Sequence, residues 1–182
     1  MALATLEQAK THLRITLDSD DAQITTMLDV ATELCEAFVR GPLVEAEFTA
    51  VVDGGRPAVE LKRPVTAVTA VTENGVALDV ATQTTLNSYA GLLYRGTGAA
   101  GFRDWGGGTG SVTVTYSAGY ETPPAILVHA CLETLRHLWE TQRGDMPSPS
   151  GVYGGDDYVP GMSFSLPRRV TELLDKYRLP SS

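Results

Sequence analysis

Three groups of residues in this chain have types and spacings that chemistry can use. The first is Gly96-Thr97-Gly98-Ala99-Ala100-Gly101, which matches the GxGxxG pattern of dinucleotide-binding turns. That pattern holds a pyrophosphate only where a strand leads in and a helix leads out, because the helix N-terminus supplies the N–H groups and the positive dipole. Here Phe102-Arg103-Asp104-Trp105 and a run of glycines follow, so no helix can begin there. No Lys-Ser or Lys-Thr pair follows a glycine loop either, which excludes a Walker-type phosphate loop. The missing context predicts a plain flexible loop.

The second group is His129, Glu133 and His137, four residues apart and so on one face of a helix. Two histidines and a carboxylate are a zinc donor set. The histidines, however, stand eight residues apart, roughly 12 Å along a helix axis. A lone ion cannot span that without a second element, and the spacing predicts ordinary polar contacts on the less buried face. The third group is Cys35 and Cys131, each on the apolar stripe of a different expected helix, where a cysteine acts as a small hydrophobe. A catalytic thiol needs a histidine and a polar orienter in an electropositive pocket, and nothing local supplies them. There is no GxSxG elbow, no paired-carboxylate motif and no CxxC. The expectation is a protein that is not an enzyme, with no catalytic residue, no cofactor and no metal ligand. The alternative is an uncharacterised enzyme using the glycine-rich loop or the His129/His137 face.

The elements that would carry these residues change style along the chain. Thr5 with Gln8 is a capping-box signal for a helix to about Arg14. Asp20 and Asp21 open a second helix, with Ile24, Met27, Leu28, Ala31, Leu34, Cys35 and Phe38 as its stripe and Thr32 on the opposite side; Gly41-Pro42 stops it. Residues 47–120 are rich in Val, Thr and Gly, with candidate strands at 47–53, 57–62, 65–72, 76–81, 91–95 and 111–117. Asn74-Gly75 is a two-residue hairpin signal, and Val112, Val114 and Tyr116 alternate with Thr113, Thr115 and Ser117. Helix resumes after Thr122-Pro123-Pro124 and ends near Gly144. Residues 145–164 have loop composition, and Ser165 and Pro167 start a last amphipathic helix that Leu179-Pro180 ends. The expected fold class is α+β: a helical bundle of N-terminal and C-terminal helices (1–46 and 121–144), an inserted small antiparallel β lobe (47–120) and a C-terminal arm (145–182) with a short amphipathic helix.

The 182 residues suffice for one domain with a real core, burying roughly 70% of the unfolded surface. Against 14 Lys and Arg stand 22 Asp and Glu, a formal net charge of −8, which opposes a grip on nucleic-acid phosphates. The excess is uneven: residues 1–46 hold eight acids and three bases, while residues 168–182 hold four bases and two acids. No apolar run reaches the roughly 20 residues of a membrane helix, and the N-terminal stretch does not have the pattern of a signal peptide. The expectation is a cytosolic chain. The last helix is marginal by itself and needs a surface, either its own body or a partner.

The opening residues Leu6, Glu7, Ala9, Lys10, Leu13 and Arg14, then Asp18, Asp20 and Asp21, then an amphipathic helix ending at Gly41, resemble the start of tailed-phage head–tail connector proteins, also called portal adaptors or head-completion proteins. Tyr116, Gly119 and Tyr120, with Pro123 and Pro124 leading to Ile126 and Ala130, resemble a later element of that family, and SLPRRVTELLDKYRLP resembles its tails. The resemblance implies a structural virion protein of the neck, assembled in the host cytoplasm. It would form a homo-oligomeric ring of twelve copies under the portal, extend the DNA channel and offer a platform to the next neck, stopper or tail protein. DNA would pass through the lumen without sequence-specific binding, and no membrane is involved. By the same analogy Leu166, Arg168, Arg169, Val170, Leu173, Leu174, Tyr177 and Arg178 would contact the portal or another partner. Another neck component, a stopper or tail-completion protein, fits the same composition.

Overall fold

The computed structural model describes residues 2–143 and 166–179. Its elements, in chain order, are α1 (Leu6–Leu13), α2 (Asp21–Val39), β1 (Ala46–Val52), β2 (Ala58–Glu60), β3 (Val65–Glu73), β4 (Val76–Leu78), α3 (Val80–Gln83), β5 (Thr84–Asn87), β6 (Leu92–Thr97), β7 (Gly101–Arg103), β8 (Val112–Ala118), α4 (Ala125–Arg143) and α5 (Arg168–Asp175). The fold is mixed α+β. The expected loop over 145–164, the helix start at Ser165 and the stop at Pro180 lie outside the described residues. The chain divides into two compact units, one from the segments Met1–Arg40 and Pro123–Pro180, the other from Gly41–Thr122.

The first unit is helical. Thr5 caps α1 as its spacing predicts: its hydroxyl accepts from the Gln8 N–H at 3.2 Å, and the Gln8 side chain accepts from the Thr5 N–H at 2.9 Å. Arg14, in the left-handed region at φ 58°, ends the helix. Lys10 then reaches Asp18 at 2.6 Å and Asp21 at 2.7 Å, which ties α1 to the connection and to the first turn of α2. The acidic turn of the sequence is thus partly a set of partners for one lysine. Asp20 does stand at the N-cap of α2, but its side chain makes no capping hydrogen bond.

On α2 the stripe of Ile24, Met27, Leu28, Ala31 and Cys35 is buried, and Leu127, Ala130, Cys131, Leu135 and Trp139 are buried on α4. Thr32 departs from the sequence reading: it is buried rather than on the outer face. Its hydroxyl returns a hydrogen bond to the Leu28 carbonyl at 2.9 Å and accepts from the Leu3 N–H at 3.1 Å, so burial leaves no polar atom unsatisfied. Across the helix pair, Thr32 Oγ1 meets Cys131 Sγ at 3.5 Å and Thr134 Oγ1 meets Cys35 Sγ at 3.7 Å. The two cysteines are therefore structural neighbours, both free and both buried. A hydrogen bond with Cys35, with burial added, pushes the Cys131 thiol well up, so it stays protonated.

The second unit is antiparallel throughout. One sheet runs β1-β8-β3-β4 and another runs β2-β6-β5, with β7 paired to β6. Asn74 and Gly75 form the β3–β4 hairpin, both with positive φ (50° and 79°), as a type I′ turn requires. The alternation of β8 is realised: Val112, Val114, Tyr116 and Ala118 are buried and join Val59, Leu61, Val65, Val71, Leu93 and Trp105 in one cluster drawn from both sheets. Each large side chain buried there contributes roughly 1.5–3 kcal/mol. Short elements absent from the sequence reading are α3, β5 and β7.

Gly119 shows why the later motif needs its glycine. Its φ is 113°, and a Cβ there would lie 2.3 Å from the Val44 carbonyl oxygen. Tyr116, three residues earlier, is buried and its hydroxyl accepts from the Lys62 N–H at 3.1 Å.

Candidate partner-binding surface

The glycine-rich motif is a β-hairpin. Thr97 pairs with Gly101 and Gly96 with Phe102, so Gly98-Ala99-Ala100 is the turn joining β6 to β7. Gly96 has φ 109°, and a Cβ on it would meet the Gly101 carbonyl oxygen at 2.3 Å. The glycines serve close strand approach, and the expected flexible loop is a paired structure. The element after β7 is the strand β8, so the turn presents no helix N-terminus to a phosphate.

Of the residues expected at a partner surface, all eight lie in the described part of the chain, on α5 and the residues flanking it. The helix is amphipathic, and its apolar side packs on α4 and α2 of its own unit. Val170 and Leu174 are fully buried there, so in this conformation they are core and cannot be surface contacts. The cause is plain: an eight-residue helix needs an apolar surface, and its own body supplies one. Behind the helix the Leu179 N–H donates to the Val39 carbonyl at 2.9 Å, and the Arg178 guanidinium lies 5.1 Å from the Phe38 ring centroid. Arg168, Arg169 and Arg178 are exposed, while Leu166, Leu173 and Tyr177 are half-buried. Arg168 pairs with Glu172 at 3.1 Å along the helix, an exposed contact worth a few tenths of a kcal/mol and easily exchanged for a partner carboxylate. The outward arginine edge is what remains available.

On α4, the structure separates the expected histidine face. His129 and Glu133 meet, with Nε2 to Oε1 at 3.8 Å, but the third member is His12 from α1 rather than His137. His12 Nε2 stands 3.5 Å from the same carboxylate oxygen. Burial holds the His12 imidazole below its ordinary pKa, against the opposing pull of Glu133. Sequence spacing alone could not find His12, because only tertiary packing brings α1 to α4.

The sequence reading also passed over apolar side chains left exposed in the second unit: Val51, Val76, Tyr89 and Phe102. Only the outward phase of β1 gave a signal, and only for Val51. No described helix is long and apolar enough to cross a membrane.

The described residues thus form a mixed α+β chain with an exposed basic edge on its last helix. Residues 3–90 match the family described as phage gp6-like head-tail connector protein, so the resemblance carried by α1, the acidic turn and α2 is borne out. No curated protein sequence matches the chain. Among solved structures, a chain from the virion of a native gene transfer agent particle superposes with a TM-score of 0.66 at 18% identity, covering 99% of this chain and 91% of that one. A chain from the neck of an empty gene transfer agent particle, computed with C6 symmetry, gives 0.63 at 18% identity over 99% and 91%. One from the neck of the native particle, computed with C12 symmetry, gives 0.62 at 16% over 97% and 89%. At such identity the likeness is one of fold, and it extends well beyond residues 3–90.

Proposed function

We propose that this chain is a structural protein of a phage-type neck, a head–tail connector that resides in the virion and assembles in the host cytoplasm. The observation that carries the reading is the match of residues 3–90 to the connector family, within a fold shared over nearly the whole chain with neck subunits. Copies of the chain close into a ring of twelve under the portal, extend the DNA channel and present a platform to the next neck or tail protein. Heterologous side-to-side contacts close in this way when the rotation permits, and the C12 symmetry used for the neck of the native gene transfer agent particle is consistent with that number.

The helical segments act as the core, residues 47–120 as the lobe, and the C-terminal segment as the arm that meets the portal. Arg168, Arg169 and Arg178 offer charge-assisted hydrogen bonds to portal carboxylates, flanked by Leu166, Leu173 and Tyr177. Val170 and Leu174 hold the helix to its own unit. The exposed Tyr89 and Phe102 give a neighbouring copy apolar area to bury. The net charge of −8 lets DNA slide through a ring without being held.

Complementation tests the reading. Heads assembled without this chain should fail to join tails, and adding the purified chain should restore joining by binding the portal end of the head. Binding to free tails alone would instead make the protein a tail-completion component.

A further inference from the structure

His12, His129 and Glu133 place two imidazole nitrogens and a carboxylate oxygen within 4.8 Å of one another, across two helices. The distances from the Glu133 oxygen are 3.5 Å to His12 Nε2 and 3.8 Å to His129 Nε2. Ligand atoms around a tetrahedral zinc stand about 3.3 Å apart, given bonds of about 2.0–2.1 Å. The cluster therefore needs only small side-chain rotations to close on an ion.

A second observation points the same way. His12 Nε2 is buried and has no hydrogen-bond partner among the described residues, although buried polar atoms are normally satisfied. It faces a carboxylate at a distance too long for a hydrogen bond, which is the spacing expected of two atoms that share a third. The rings of His12 and His129 are set edge to face with centroids 6.0 Å apart, so neither blocks the other's nitrogen. Arg136, whose charge reaches His12, is paired with Glu140 at 2.7 Å, which draws its guanidinium toward another acid. Access is open, because the His129 side chain is 44% exposed.

We propose that His12, His129 and Glu133 form a binding site for a divalent transition ion, zinc by donor type, that clips α1 to α4. Two nitrogens and one carboxylate oxygen suit zinc better than magnesium or calcium, which prefer all-oxygen sets. Three protein ligands leave a fourth position for water. The clip has a structural use: α1 is a helix of eight residues, too short to be stable alone, and the ion fastens it to α4, a helix of 19 residues in the same unit. The inference is independent of the connector reading, since it concerns one unit of the isolated chain.

The test uses the full chain, stripped with a chelator and then titrated with Zn2+ and, separately, with Co2+. The expected result is one Zn2+ per chain, visible bands of tetrahedral Co2+, and a Tm raised by roughly 5 °C at a hundredfold excess over Kd. His129→Ala and Glu133→Gln should each weaken binding by at least about 100-fold, the upper end of the cost of losing even a supporting partner. Both leave the helix fold intact, checked by circular dichroism of the metal-free chain. His137→Ala should bind as the native chain does. Absence of saturable binding by the native chain, or equal binding by His129→Ala and Glu133→Gln, would overturn the site.

Discussion

Arg95 on β6 donates from Nε to the Glu73 carboxylate on β3 at 3.1 Å, and this pair joins the two sheets of the second unit. The guanidinium is almost completely buried and also donates to the Gln83 carbonyl at 2.8 Å, while the second Glu73 oxygen accepts from the Gly106 N–H at 2.7 Å. Arg95 further lies 5.8 Å from the Trp105 ring centroid, and Trp105 donates from its indole to the Leu93 carbonyl at 3.2 Å. The polar network is thus satisfied and sits against the core, so removing one member leaves a buried charge uncompensated. Glu73→Gln is expected to destabilise the unit by about 3 kcal/mol, measured by urea denaturation at pH 7.

The same pair sets a pH dependence. Burial alone would raise the Glu73 pKa, but the Gly106 N–H and the Arg95 guanidinium outweigh it and hold the carboxyl below its ordinary value. Its folded pKa is therefore lower than its unfolded one. The stabilisation is complete above the unfolded value, near pH 4.5, and is lost as pH falls from there through the folded value. Denaturation midpoints should fall as pH drops from about 4.5 toward 3, and the fall should be shallower in Glu73→Gln.

Gly119→Ala carries a sharper penalty than its one methyl suggests. The residue occupies φ 113° with the Val44 carbonyl 2.3 Å from the added carbon, so the backbone itself has to move. A loss of about 1–3 kcal/mol is expected. Gly75→Ala, at φ 79° with nothing within 4 Å of the new carbon, should lose less when the two variants are compared by thermal melting.

Substitutions on α5 separate core from contact. Leu174→Ala empties a fully buried position and should cost about 2–5 kcal/mol in the chain by itself. The double variant Arg168→Glu/Arg169→Glu changes exposed positions and should alter stability by no more than about 0.5 kcal/mol. It should nevertheless weaken portal binding at low salt, as measured by surface plasmon resonance, if those arginines meet carboxylates. Unchanged affinity would remove the arm from the interface.

Features governed by near neighbours in sequence were legible. The Thr5–Gln8 box, the Asn74-Gly75 hairpin and the alternation of β8 each depend on residues a few positions apart, and each is found. The same local logic failed where distant chain decides. Thr32 is polar, yet the Leu3 backbone arrives to satisfy it; β7 hides in a glycine-rich stretch because its strand is three residues long. Amphipathicity showed that α5 needs a surface but not whose, and its own unit provides one. His12 lay outside the histidine face because nothing in the spacing of α1 points to α4.

The mass of the native chain, measured alone and then mixed with its portal by light scattering or native mass spectrometry, tests the central claim most directly. Weak side-to-side contacts become populated when a template raises the local concentration of subunits. A chain that is monomeric alone and forms a closed ring of twelve on the portal is the predicted result. A chain that stays monomeric beside the portal, or that forms its ring only on the tail, would contradict the connector assignment.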